Sequence, residues 1–220
     1  LRAAALLVES GTSHIVVASR SGRVARDGQG LAAQLKALGR RAQVVACDGA
    51  EPIDTAYALS GQALSGVLHA AGSGDKGLLV ELSAGRMQWM YAPKAAGAWH
   101  IHIAMAGVPL EARLLYSSVG SGLSNVGQGN YAAGNACLDS HALSLRSHGR
   151  AACSLQWPLV GGAGMGASVA SAVKALHRSV AGMASISLAD YATCLQSQLT
   201  PCRSMSHSHQ MFHQLDAKQL

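Results

Sequence analysis

The chain has 220 residues, 49% hydrophobic and 13% charged, a balance that favours one well-buried core and excludes disorder. The formal net charge is +6, but the 17 Lys and Arg are scattered and aromatics reach only 4%. That argues against a nucleic-acid platform and suits a phosphorylated cofactor or an acidic protein partner. No apolar run approaches the ~20 residues of a membrane span.

The elements follow in chain order. "LRAAALLVESG" (1–11) reads as the back half of a helix capped by Gly11. "SHIVVAS" (13–19) is a buried strand, "GLAAQLKALG" (30–39) a helix and "AQVVACD" (42–48) a second strand. "GVLHAAG" (66–72) is a third strand. Two helical stretches follow, with a break expected near Pro93, a residue suited to a first helical turn. "ARLLYSS" (112–118) is a fourth strand, a helix runs from about Tyr131 to His148 and stops at Gly149, and "AACSLQW" (151–157) is a fifth strand. "SLADYATCLQSQL" (187–199) opens with a capping box, Ser187 with Asp190. Periodicity is lost from about Pro201, so 201–220 is expected to be a tail or linker. His207, His209 and His213 in it read as solvated residues, and no metal site is expected. The alternation predicts an α/β fold with a parallel, doubly wound sheet. Five cysteines, an odd number without a C-x-x-C pair, read as reduced thiols.

In such sheets, ligands bind beyond the carboxyl ends of the strands. The first strand ends at Arg20 and Ser21, the second at Asp48, and the third in His69, Ala70, Ala71 and Gly72. The fourth ends at Ser117 and Ser118, and its loop leads to Tyr131. Asn135 follows Tyr131 by four residues and shares its helix face. Singly, each reads as an ordinary turn, core or surface residue; together they converge on one rim. "GSGDKG" (72–77) matches a dinucleotide glycine pattern but follows the wrong strand, and is expected to be a flexible loop.

"SGVLHAAG", "APKAAGAWHIH", "LLYSSVGSGLSNVGQGNYAAGNACLD" and "SLQWPLVGGAGM" together resemble the ketoreductase domain of modular polyketide synthases. They are also similar to the ketoreductase of animal-type fatty acid synthases, within the short-chain dehydrogenase/reductase superfamily. The resemblance runs from residue 1 to about 200. It implies a Rossmann-like fold and NADPH-dependent reduction of a β-ketoacyl chain on a phosphopantetheinyl acyl carrier protein. Other synthase domains would be partners; nucleic acid and membrane would not. In this family the lysine and asparagine exchange places relative to other short-chain reductases. The catalytic set then carries over to Lys94, Ser118, Tyr131 and Asn135. Tyr131 would be the general acid, and a lysine cation beside a phenol favours the phenolate. Lys94 would also hold the nicotinamide ribose, Ser118 would orient the substrate carbonyl, and Asn135 would steady Lys94 and supply a proton path. The small residues Ala132, Ala133 and Gly134 would permit close approach. Arg20, in place of an acidic residue, accommodates a 2′-phosphate and favours NADPH over NADH, with Ser21 beside it. Asp48 would lie near the adenine and residues 69–72 on the adenosine ribose side.

Three departures from the family bear on these expectations. The opening strand and glycine-rich turn that would cradle the pyrophosphate are not in the sequence, so the chain is expected to be a piece of a longer protein and inactive by itself. The segment between Asp48 and His69 is short, predicting an abbreviated helix. Pro158 replaces the usual Gly after Trp157, although Trp157 and Met165 still bracket the expected substrate-side loop. Stereochemical markers are incomplete. Gly74, Asp75 and Lys76 stand where one class carries Leu-Asp-Asp, and Leu123 where the other carries Trp; the missing Trp leans the reading to the first class. The rival readings are a non-catalytic structural domain and a free-standing reductase of small ketones. No leader opens the chain, so a cytoplasmic or organellar stromal location is expected.

Overall fold

Helix and strand alternate as the apolar pattern demands. α1 (Arg2–Glu9) precedes β1 (Ile15–Ser19), α2 (Leu31–Leu38) precedes β2 (Ala42–Ala46), and α3 (Pro52–Leu59) precedes β3 (Gly66–His69). Next come α4 (Ala84–Tyr91), a π-helical turn (Ala92–Ala96) and α5 (Gly97–Ala104). β4 (Ala112–Ser118), the short α6 (Gly120–Leu123), α7 (Gly129–Ser147) and β5 (Cys153–Trp157) follow. The last elements are β6 (Met183–Ala184), α8 (Leu188–Leu199), β7 (Gln210–Met211) and β8 (Gln214–Leu215). This is a computed structural model, and it describes residues 1–23, 30–74, 77–123, 126–161, 183–199, 210–211 and 214–215. Asp75, Lys76, Met165, Cys202, His207, His209 and His213 lie outside the described residues.

β1 and β2 pair in parallel, with Ile15 opposite Ala42 and Ser19 opposite Ala46. A second parallel sheet runs in the order β3-β4-β5-β7. Among the described residues, no pairing joins β1 to β3. Parallel strands are stable only when both faces are covered, and β4 shows how that is met. Leu114 packs with Leu6 of α1, Leu155 and Trp157 of β5, and Leu195 of α8. Its neighbour Leu115 points the other way, onto Ala98 of α5 and Leu138 and Ala142 of α7. The sheet is thus doubly wound, as the alternation implies.

The observed ends match the sequence signals closely. Ser187 Oγ and N–H both donate to Asp190 Oδ2, and Asp190 N–H returns a bond to Ser187 Oγ, which completes the capping box. Gly149 takes the left-handed conformation after α7, at φ +72°. α3 has 8 residues, the short helix expected there.

Two expectations differ. No break occurs at Pro93: the chain runs from α4 to α5 through the π turn, where Gly97 N–H reaches back to the Ala92 carbonyl. The wider turn absorbs a residue that cannot donate and would clash in an α-helix. Within 201–220, read as a tail or linker, the described residues include two short strands. Gln210–Met211 lies parallel to β5, and Gln214–Leu215 lies antiparallel to Met183–Ala184.

The loop after β2 is tied to α5. His100 Nδ1 and the Gly49 carbonyl oxygen are 3.1 Å apart. A β-carbon on Gly97 would lie 3.0 Å from His69 Cε1 and 3.1 Å from the Gly49 oxygen, so only glycine permits this approach. His69 is 4% exposed, and burial lowers its pKa to about 4. Burial also lowers those of His102 and His141.

These folded-state values lie below the unfolded value of about 6.5. As pH falls, the unfolded chain therefore binds protons first. Stability is full above ~6.5 and is lost between there and about 4, by on the order of 3 kcal/mol for His69. We predict a melting temperature that falls between pH 7 and 5, and a shallower fall in His69→Gln. Thermal unfolding followed by circular dichroism across that range checks it; a flat profile for the parent sequence refutes it.

Candidate active site

Lys94 sits in the π turn, and the turn aims its side chain inward. It is 3% exposed. Its Nζ donates to the Tyr116 carbonyl at 3.3 Å and lies 5.5 Å from the centroid of the Tyr131 ring. Two glycines make room: a β-carbon at Gly72 would meet Lys94 Cε at 3.0 Å and Nζ at 3.2 Å, and one at Gly134 would meet Cδ at 3.5 Å. Burial pushes the Lys94 pKa down to about 8, against the opposing pull of the Asp139 charge.

Ser118 ends β4, and Gly120 N–H donates to its Oγ at 3.1 Å. A β-carbon at Gly120 would contact both Ser118 Oγ, at 3.4 Å, and Tyr131 Cε1, at 3.7 Å, so serine and tyrosine converge on this glycine. Tyr131 lies in the first turn of α7, where its N–H donates to Asn130 Oδ1 at 2.8 Å. One turn on, Asn135 is fully buried; its Nδ2 donates to the Tyr131 carbonyl at 2.8 Å. Among the described residues, Asn135 Oδ1 has no hydrogen-bond partner. The structure therefore brings Lys94, Ser118, Tyr131 and Asn135 together from three separate elements.

The other predicted residues lie along the same strand ends. Arg20 and Ser21 follow β1 and are exposed. The Cys47 amide donates to the Ser19 carbonyl at 2.9 Å and binds the two strand ends to each other. Asp48 Oδ1 accepts from Ala50 N–H at 3.0 Å, a turn contact that positions the loop after β2. His69 does not present its side chain to the rim. Its Nε2 bonds the Lys94 carbonyl at 3.1 Å, so the ring braces the π turn from beneath. Ala70, Ala71 and Gly72 on that loop are exposed. Of the stereochemical markers, Gly74 is exposed and Leu123 ends α6 at 48% exposure.

Sequence reasoning missed a polar cluster behind the site: Asp139 on α7, Ser154 and Gln156 on β5, and Ser121 on α6. One signal was available. Asp139 stands four residues after Asn135 on the same helix face, in a chain with few charges. Among the described residues there is no grouping of His, Cys, Asp and Glu fit to hold a metal ion, and no helix is long and apolar enough to cross a membrane.

Comparison with known proteins gives a consistent result. The family description "KR domain" matches residues 1–162. Over 155 residues, 69% of this chain, the sequence is 43% identical to polyketide synthase GfsA of Streptomyces halstedii. Over 158 residues, 70% of the chain, it is 35% identical to mycoketide-CoA synthase of Mycobacterium tuberculosis. The matched stretches are 2% and 4% of those proteins. Among solved structures, A-type ketoreductases from a modular polyketide synthase superpose with a TM-score of 0.84 at 29% identity, covering 99% of this chain and 46% of that one. The first ketoreductase of the tylosin synthase gives 0.80 at 28% identity, covering 99% and 47%. The chain thus spans about half of these ketoreductase chains.

The packing around Lys94 makes a prediction. The Lys94 ε-carbon, followed by NMR and assigned through Lys94→Met, should titrate near 8 rather than at the usual 10.5. Gly72→Ala should displace that resonance because its β-carbon crowds the ammonium. Gly134→Ala, which makes an ordinary van der Waals contact, should leave it in place. An ordinary lysine titration would show that the side chain is solvated.

Proposed function

This chain belongs to the KR domain family of modular polyketide synthases, and we propose that it reduces a β-ketoacyl chain, held by a phosphopantetheinyl acyl carrier protein, to the β-hydroxyacyl chain with NADPH. KR domains are oxidoreductases of the short-chain dehydrogenase/reductase type and use nicotinamide cofactors. The observation that most supports the reading is the buried Lys94 ammonium beside the Tyr131 ring, with Ser118 converging on the same glycine.

The residues fit the cofactor. Arg20 is exposed at a strand end and, among the described residues, has no carboxylate partner, which suits a 2′-phosphate. Ser21 and Asp48 would contact its adenosine side. Lys94 would hold the nicotinamide ribose hydroxyls. When bound, NADPH supplies the hydride.

The remaining chemistry falls to this chain. Tyr131 donates its hydroxyl proton to the developing alkoxide. The Lys94 cation favours negative charge on the phenol oxygen as that proton leaves. Gly120 N–H already donates to Ser118 Oγ, which leaves the serine proton to donate to the substrate carbonyl and fix its orientation. Asn135 Oδ1 offers a buried acceptor for a water that would return a proton toward Lys94 and Tyr131.

The test uses the parent synthase. Tyr131→Phe should lower reduction of a simple decalone by at least ~100-fold while leaving NADPH binding, read by nucleotide fluorescence, unchanged. Retained turnover would remove Tyr131 as the acid. Arg20→Glu should shift the preference from NADPH toward NADH in paired kcat/KM measurements; an unchanged preference would place the 2′-phosphate elsewhere. A parent protein that consumes no NADPH with either carrier-bound or simple ketones would overturn the catalytic reading in favour of a structural domain.

A further inference from the structure

Tyr131, Asn135 and Asp139 follow one another at four-residue spacing on α7. The first two sit at the site described above. Asp139 turns toward β5 and uses both carboxylate oxygens there. Oδ1 accepts a hydrogen bond from Ser154 Oγ, and Oδ2 accepts from Gln156 Nε2 at 2.8 Å. Gln156 Nε2 also donates to Ser121 Oγ at 2.9 Å. Ser154 has no exposed surface and Gln156 only 5%. Polar groups so buried are held by bonds; the Gln156 amide nitrogen makes both of its donations here, although its Oε1 has no partner among the described residues, and these directed bonds restrain Ser121, Gln156 and Asp139.

The network's far end matters most. Ser121 lies three residues beyond Ser118, in the turn that also holds Gly120. Val119 N–H in that turn donates to the Trp157 carbonyl at 3.1 Å. The turn carrying Ser118 is thus fastened to β5 at two points, and one of them leads through Gln156 to Asp139 on the helix that carries Tyr131. We infer that Asp139 is a positioning residue, which sets Ser118 against Tyr131 through Gln156 and Ser121. This rests on the reading of those two side chains as the reacting pair.

The charge of Asp139 adds a second effect. Lys94 meets the Tyr116 carbonyl on β4 and the Tyr131 ring, His69 holds its backbone carbonyl, and the Asp139 charge on α7, bonded to β5, acts on it through space. His69 is neutral near pH 7 because burial holds its pKa to about 4. Asp139 is the acid that opposes the loss of the Lys94 proton. Removing its charge should therefore move the deprotonation of Lys94 to lower pH.

The experiment compares the parent synthase with Ser121→Ala, Gln156→Leu and Asp139→Asn. All three should lower kcat for a simple ketone, by ~10- to 100-fold for Gln156→Leu and Asp139→Asn, with NADPH affinity retained. Asp139→Asn alone should also move the alkaline limb of the pH–kcat profile to lower pH, an effect that loosened packing would not produce. Unchanged kcat in all three, or a shared pH profile, would overturn the inference. A second readout needs no turnover: hydrogen exchange of the 119–123 amides should quicken in each variant. If the unsubstituted parent fails to reduce ketones, the proposed function falls, but exchange still decides the positioning role. Quickened exchange supports the tether, and unchanged exchange refutes it. Ser121→Ala removes only the half-buried hydroxyl at one end of the network, so it reports even where the other variants fail to fold.

Discussion

The structure around the strand ends is organised by one buried cation. Taking an ammonium out of water costs several kcal/mol unless partners replace the lost hydration. Lys94 recovers some of this from the Tyr116 carbonyl at 3.3 Å, some from the face of Tyr131 and some from the Asp139 charge. A desolvated cation over an aromatic ring contributes ~2 kcal/mol or more. Compensation is incomplete, and the remainder shows as a pKa drawn down to about 8. At neutral pH the lysine still carries its proton but holds it more loosely than a solvated lysine does.

The backbone has been shaped to reach that state. Pro93 and Lys94 occupy a π turn, which re-aims one side chain without ending the helix. Gly134 lets α7 approach that turn, and Gly72 leaves room at the ammonium itself. The His69 ring accounts for the carbonyl of the same lysine. The tie from Gly49 to His100 then connects the loop after β2 with the helix that carries Lys94. A loop read as the adenosine side and the lysine read as the ribose contact thus belong to one packed unit, although the loop follows a strand of one sheet and the π turn follows a strand of the other.

Much of this was legible in the sequence, for a physical reason. Parallel strands covered on both faces must be short apolar runs, and helix ends need caps, so β4, α7 and the Ser187–Asp190 box announce themselves locally. The four proposed site residues were named through family spacing, with Lys94 placed far from Tyr131 in the chain only by that route. What stayed hidden depends on tertiary packing. A proline in a helical stretch signals a break, and only the space beside α7 decides that a π turn takes its place. His69 looks like a rim residue by its position in the strand, but its ring turns inward because Gly97 leaves a gap for it. The 210–215 stretch has no periodicity to read, since strands of two residues are too short to show one.

Asp139 shows where spacing stops being informative. The i, i+4 rule places it on the same face as Asn135, and most charges on such a face would point to water. Asp139 is instead half-buried, because α7 lies against β5 and brings Ser154 and Gln156 within hydrogen-bonding reach. Leucine could fill that space, as Leu138 does one residue earlier with no exposed surface. A carboxylate does something leucine cannot: it joins helix, strand and turn through directed bonds of fixed length, while placing negative charge in the same packed region as Lys94. Apolar layers bring α7 and the sheet together but tolerate sliding, because dispersion contacts have little directionality. Bonds from Asp139 through Gln156 to Ser121 resist that sliding. A site that needs a serine and a tyrosine at a set separation has reason to retain a half-buried charge there.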